Sequence, residues 1–362
     1  MTFSVTISNK NDEEKWNSLL SNHKSSTAYQ TVNWSSIYQN HFNSKPVYLT
    51  VQNSNKKIVG QLSALIHSDY IWRNSNFLSK KISKSLKLGS YLYWNYGPII
   101  HDDKNFDDIL SIILENIVEF AKKNNISFIR GSFSPLGKTP NKEILTKFGF
   151  EIKNWKTYII DLTKNSDELY ASLDKKTRYD IRKIKKTSLQ MEYGNNKTSL
   201  YDYAYLSIES RKAKGEKRKL DIPFYDLAGK HLQENNLLNV TLAKDGTETL
   251  SGIWNIAFNG NLVQQGVENV PKSKLAGTFI TWKTIEQFAN SNNLTYDMGG
   301  ANPNPQSQKE KQIDFYKSKW GGIEIEYFII TKIIKEKDMK VTSILANPRK
   351  VTLKIKKIIH KT

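Results

Sequence analysis

Cysteine is absent from the 362 residues, which removes disulfides, thiolate nucleophiles, iron–sulfur clusters and cysteine-ligated zinc. Histidine is scarce. His23, His41, His67, His101, His231 and His360 are scattered, with no His-x-x-x-His pair and no nearby carboxylate cluster, so no metal centre is expected. No apolar run nears the ~20 residues of a membrane span, and Tyr327–Ile330 gives way at once to Thr331 and Lys332. Met1–Lys15 lacks the basic-then-apolar order of a secretory signal. A soluble, cytoplasmic chain is the expectation. With 38% hydrophobic residues, including 18 Tyr, 15 Phe and 8 Trp, it has the material for real cores, and its length suits two domains.

Basic charge is what the chain has in excess, a formal +19. Residues 175–186 carry a net +6, residues 211–219 a net +5 and residues 331–362 a net +8, which together account for the whole surplus. Charge clustered in this way suits a phosphate-bearing ligand, because each neutralised phosphate releases condensed counterions. Three solvated basic faces would read the same way residue by residue.

The pattern of elements repeats. In the first half, strands are predicted at Phe3–Ile7, Val47–Gln52 and Ile58–Ile66, with helices at Asp12–Leu20 and Asn33–His41. Phe106, Ile109, Leu110, Ile113, Ile117, Phe120 and Ala121 form one helical stripe, followed by a strand at Ile126–Phe133 and a short helix at Asn141–Phe148. In the second half, strands at Leu238–Lys244, Leu250–Phe258 and Leu262–Glu268 are joined through Asp245-Gly246 and Asn259-Gly260, both strong hairpin pairs. A helix at Thr278–Ala289 and a strand at Leu294–Met298 follow. Phe120–Phe128 parallels Phe288–Tyr296 at a constant offset of 168, which reads as duplication of one α/β unit. The join falls near Asn154, with Trp155–Leu162 as a crossover strand.

Four segments in this order carry a resemblance: Tyr29-Gln30 with Trp34; Tyr96-Gly97-Pro98; Trp155 through Arg178 to Arg182-Lys183; and Tyr296-Asp297-Met298-Gly299-Gly300-Ala301-Asn302 followed by Tyr316-Lys317 and Trp320-Gly321-Gly322. The chain resembles the Fem family of aminoacyltransferases, built from two folds of the GNAT (acyl-CoA N-acyltransferase) type. The resemblance runs from Tyr29 to Trp320. It implies an α/β (α+β) protein with two tandem GNAT-like domains, each a mixed, largely antiparallel sheet flanked by helices. It sets an acceptor-side domain at 1–154, a donor and catalytic domain at 155–322, a closing strand at 323–335 and a basic tail at 336–362.

The implied activity is transfer of an aminoacyl or acyl group to an acceptor amine, as on a cell-envelope precursor. The donor stays open between aminoacyl-tRNA and acyl-CoA, with no tightly bound cofactor. A non-catalytic RNA- or membrane-binding relative is the alternative of another class. A monomer with no DNA partner is expected. Lys317, Asp297 and Tyr316 match the catalytic positions, where an ammonium aimed at the carbonyl oxygen would stabilise the charge that builds during aminolysis. Asp297 could instead cap the turn that follows it. Gln30, Trp34, Tyr38, Tyr96, Arg211, Gly299, Gly300 and Asn302 are the implied substrate contacts. Tyr38 and Tyr96 stand where relatives that grip a diphosphate carry Lys and Arg, which weighs against a peptidoglycan nucleotide. Arg178, Arg182 and Lys183, with Lys274 and Gly277 before a helix, are the phosphate or tRNA candidates. Tyr201, Tyr203 and Tyr205 could stack on bases or pack in a core. The apolar residues of the tail, Val351, Leu353, Ile355, Ile358 and Ile359, interleave with lysines and suit contact with the inner membrane face.

Overall fold

The computed structural model describes residues 2–68, 89–194, 196–216, 219–271, 275–289 and 291–346. Lys274, the Lys217-Arg218 pair of the second basic window and the tail from 347 onward lie outside the described residues. In chain order come β1 (Ser4–Ser8), α1 (Glu13–Ser21), α2 (Val32–Phe42), β2 (Lys45–Gln52), β3 (Ile58–His67), β4 (Tyr91–Trp94), β5 (Ile99–Ile100), α3 (Phe106–Lys123), β6 (Phe128–Ser132) and α4 (Lys142–Lys147). Next are β7 (Glu151–Asp161), α5 (Ser166–Ser172), α6 (Lys175–Ile184), β8 (Gln190–Gly194), α7 (Lys197–Ala213) and α8 (Ile222–Ala228). Last are β9 (Leu238–Asp245), β10 (Glu248–Phe258), β11 (Asn261–Asn269), α9 (Ala276–Ala289), β12 (Thr295–Asp297), α10 (Gln308–Ser318), β13 (Ile323–Ile333) and α11 (Glu336–Ala346). Among the described residues no helix is long and apolar enough to cross a membrane.

The chain divides into two compact units, one of Met1–Asp12, Tyr38–Lys153 and Phe328–Thr362, the other of Glu13–Ile37 and Asn154–Tyr327. The chain enters the second unit at Asn154 after an earlier visit: Glu13–Ile37, expected in the first domain, packs there instead.

In the first unit β1, β2, β3 and β4 pair antiparallel in sequence, β6 joins β4 in parallel, and the end of β13 pairs antiparallel with β6. The β2–β3 turn is held by Asn53, whose side-chain oxygen accepts the N–H groups of Asn55 at 3.0 Å and Lys57 at 3.1 Å. α3 buries the stripe read from its sequence, Phe106, Ile109, Leu110, Ile113, Ile117 and Ala121, against Val47, Leu49, Leu62 and Ile129 of the sheet. Asp107 and Asp108 in its first turn and Lys122 and Lys123 in its last complement the helix dipole.

In the second unit β8, β9, β10 and β11 run antiparallel, β12 pairs in parallel with β11, and β7 pairs antiparallel with β12. The β10–β11 turn has Asn259 at φ 51° and Gly260 at φ 77°, the double positive φ that suits an Asn-Gly pair. The duplication is visible as two parallel crossovers, β4 to β6 through α3 and β11 to β12 through α9.

Candidate active site

Two features of β11 open the second unit's sheet. Its pairing with β12 lasts three rungs, Asn261 to Val263 against Thr295 to Asp297, while β11 itself continues to Asn269. Against β10, Trp254 pairs with Gly266 and Asn255 with Gln264, so Gln265 is an extra residue, a bulge that bends the strand. The last rung is Val263 with Asp297, where β12 ends. The chain leaving β12 turns at once through Gly299, whose φ of +76° favours glycine. A Cβ on Gly299 would lie 3.1 Å from the Gln264 carbonyl oxygen and 3.5 Å from Lys317 Nζ, so the turn, the bulge and the lysine are neighbours.

Asp297, fully buried, builds the turn. Its Oδ1 accepts the Gly299 N–H at 2.8 Å and the Thr157 hydroxyl. The capping arrangement is thus the one observed. From the other side α10 delivers Lys317. Its ammonium donates to the Gly299 carbonyl at 2.6 Å and the Gly300 carbonyl at 2.9 Å. An ammonium has three hydrogens, so one remains for a further acceptor. Burial brings the Lys317 pKa down to about 8, against the opposing pull of Asp297 and Asp314. At neutral pH the group is mostly the cation, half withdrawn from water, where its field is strong.

α10 is held by its flanking side chains. Tyr316 hydrogen-bonds the Thr281 hydroxyl at 2.6 Å on α9, and burial pushes its phenol up to about 12, so it stays neutral. Asp314, one turn before Lys317, pairs with buried Lys156 at 2.8 Å. Lys156 also donates to Glu324 at 2.9 Å and to the Tyr158 hydroxyl at 3.2 Å. Burial would lower the pKa of Lys156, but the hydrogen bonds to Asp314, Glu324 and Tyr158 outweigh it and hold the charge on. Asn302 bonds Glu310, which together with Ser307 forms the capping box that starts α10.

The other candidates disperse. Gln30 and Trp34 lie in the second unit and are buried: the Gln30 carbonyl accepts the Trp16 indole N–H at 2.8 Å, and Trp34 meets Tyr29 edge-on. Tyr38 and Tyr96 lie in the first unit. Tyr38 packs with Phe42 and His67, and burial raises its phenol; Tyr96 is buried with its N–H on the Ser132 hydroxyl. Arg211 pairs with buried Glu268 at 3.1 Å and with Glu216 at 3.0 Å, on the α7 side of the sheet. Arg178 donates to the carbonyls of Ala171 at 2.7 Å and Leu173 at 2.6 Å, closing the end of α5. Arg182 donates to the Tyr170 hydroxyl at 3.3 Å, and Lys183 lies over the Tyr179 ring. Gly277 lies in the first turn of α9, where a Cβ would come within 2.6 Å of the Asn269 amide oxygen. Of the three tyrosines, Tyr203 is buried, Tyr201 bonds Asp226 and Tyr205 is exposed.

Lys156, Thr157, Tyr158, Gln264, Gln265 and Asp314 escaped the sequence reading. The signal present was a polar pair, Lys156-Thr157, at the head of the buried run of β7, which continues through Tyr158, Ile159 and Ile160. Tyr29, read only as part of a motif, accepts the Gln265 amide N–H at 2.6 Å and so touches the bulge.

The short parallel pair, the bulge in its longer strand and the helix that brings Lys317 beside it sit in a fold of the GNAT type, here present in tandem. The crystal structure of FemX superposes with a TM-score of 0.71 at 13% identity, over 96% of this chain and 100% of that one. A tandem GNAT protein from the clavulanic acid biosynthesis pathway gives a TM-score of 0.54 at 10% identity, covering 92% of this chain and 98% of its own. L-PGS from Bacillus licheniformis gives 0.53 at 10% identity, covering 89% and 99%. No protein-family model and no curated protein sequence matches the chain. These likenesses establish a Fem-like tandem GNAT fold.

Proposed function

We propose that the chain is an N-acyltransferase that moves an aminoacyl or acyl group from an activated ester or thioester to an acceptor amine. The Lys317 ammonium on the Gly299 and Gly300 carbonyls is what carries the reading. As the amine attacks, the carbonyl π electrons move to oxygen and the carbon becomes tetrahedral. The free N–H of Lys317 meets that oxygen, in a site where withdrawal from water strengthens the contact. Collapse expels the donor alcohol or thiol, and the amine proton leaves with solvent or with the leaving group. Asp297, closed in by Thr157 and Gly299, fixes the turn and sustains the positive charge opposite it; it is a positioning residue. Tyr316 plays the same part for α10.

β11 continues to Asn269 past its last rung with β12, and that stretch of strand offers the donor an extended path. Gly277, opening α9, is the sequence trace that keeps acyl-CoA as donor beside aminoacyl-tRNA, although the Asn269 side chain covers it. The Fem-like fold supports an amine on an envelope precursor as the acceptor class.

The test is mass spectrometry of a reaction containing charged tRNAs, acyl-CoAs and an amine-acceptor extract, with the wild type and Lys317→Met side by side. The reading requires consumption of one donor and a new amide product, and a drop in kcat of ~10²–10³ in the variant, the size seen when one oxyanion donor is lost. Unchanged circular dichroism would show that the variant stays folded. No consumption of any donor, or near-normal turnover by Lys317→Met, would refute it.

A further inference from the structure

The groove between α5–α6 and α9 has the makings of a second ligand site. It encloses about 520 Å³, within the ~300–1,000 Å³ range of small-molecule pockets. Ile181, Ile184, Phe279 and Trp282, all buried, form an apolar floor. Arg182 and Lys185 stand at its rim. The two carboxylates of the lining are Glu286, already paired with Lys283 at 2.6 Å, and Asp167. Among the described residues neither Arg182 nor Lys185 forms an ion pair: Arg182 donates only to the Tyr170 hydroxyl, at 3.3 Å. Two cations therefore border an apolar cavity without a carboxylate of their own, and Lys183 in α6 and Lys186 just past its end deepen the positive field.

The groove is separate from the Lys317 centre. At about 100° per residue, Phe279, Trp282, Lys283 and Glu286 fall on the face of α9 opposite Gly277 and Thr281, the residues that Tyr316 touches.

We infer that this groove binds an anionic lipid, its chain on the Ile181–Trp282 floor and its phosphate between Arg182 and Lys185. Apolar floor and cationic rim are the complement of such a molecule, and neither half alone would select it: a free phosphate gains nothing from the floor, and a neutral chain nothing from the rim. The inference does not depend on acyl transfer, and its test reads binding alone.

Isothermal titration of the full chain with dodecyl phosphate below its micelle concentration is expected to show one site per chain. Dodecyl maltoside and inorganic phosphate are expected to bind at least ten-fold more weakly, and Arg182→Gln/Lys185→Gln to lose about 100-fold in affinity, the size of two lost charge-assisted contacts. The double variant should melt at the wild-type temperature without ligand, since neither side chain has an ion pair to lose. Absence of binding, equal binding of dodecyl maltoside or an unchanged affinity in the double variant would overturn the assignment. Displacement of dodecyl phosphate by a short single-stranded RNA at matched concentration would also overturn it, making the groove a nucleic-acid site.

Discussion

Lys317 would be passed over as a surface lysine if composition were the only guide, since α10 has no fully buried residue and so no apolar stripe to orient it. The surrounding Gly299-Gly300 and Trp320-Gly321 pattern singles it out, and the fold explains why. Only a long unbranched cation can cross from α10 to two glycine carbonyls. Its titration gives the first prediction. The protonated form is the one that stabilises an oxyanion, so kcat/KM should fall as pH rises through about 8. Lys317→Arg keeps its charge well above that pH, so its residual activity should lack this limb; a rise in activity through pH 8 would instead make Lys317 a base. A second expectation concerns stability. The folded pKa lies below the unfolded value of 10.5, so between about 8 and 10.5 the unfolded chain holds a proton that the folded chain has released, and stability rises with pH there. Relative to Lys317→Met, the wild type should gain up to ~1.4 kcal/mol per pH unit in that window, as read by denaturant melts. A flat difference would mean the lysine is not desolvated.

At the scale of elements, the position of α10 depends on a buried cation that belongs to β7. Lys156 is 6% exposed, whereas its partners Asp314 and Glu324 keep contact with water. The two ways of breaking the network should therefore differ. Asp314→Asn/Glu324→Gln strands a buried ammonium and is expected to cost ~3 kcal/mol. Lys156→Met leaves carboxylates that can rehydrate and should cost clearly less. It also leaves the negative charge of Asp314 uncompensated one turn from Lys317, which should move the alkaline limb of the rate profile upward. Equal costs, or an unmoved limb, would separate Lys156 from the site. Gly299→Ala adds a strained φ and a close approach to the Gln264 carbonyl, and should lose ~1–2 kcal/mol in thermal melts together with turnover.

How far such elements could be read depends on whether their residues repeat locally. α3 is legible because it buries one periodic face, and the hairpins β2–β3 and β9–β10–β11 because their apolar runs are joined by turns at Asn or Gly. β4 and β8 are short, with no run long enough to show a period. α10 announces itself only by the Ser307 and Glu310 capping pair. The Gln265 bulge has no local signature at all, since it is a mismatch between two strands.

Across the whole molecule, the halves read from the repeat are continuous in sequence, but the compact units are not. Packing partners far apart in the chain decide this, and hydrophobic period carries no information about them. Glu13–Ile37 is tied into the second unit by specific bonds: Asn261 donates to the carbonyls of Lys24 at 2.6 Å and Ser26 at 2.9 Å, Asn259 to that of His23 at 3.0 Å, and Gln265 to the Tyr29 hydroxyl. Asn261 is buried, so without the segment its amide would lose its partners at ~1–3 kcal/mol, and the Gln265 bulge would lose the contact that anchors it beside the Lys317 site. A fragment of residues 154–327 is therefore expected to show native-like helix content but weak amide dispersion and no cooperative melt. Joining residues 13–37 to it through a flexible linker should restore dispersion and a sharp transition, because those residues complete the unit. A cooperative melt by the bare fragment, matching the linked form, would mean that the early segment decorates the second unit without holding its bulged strand in place.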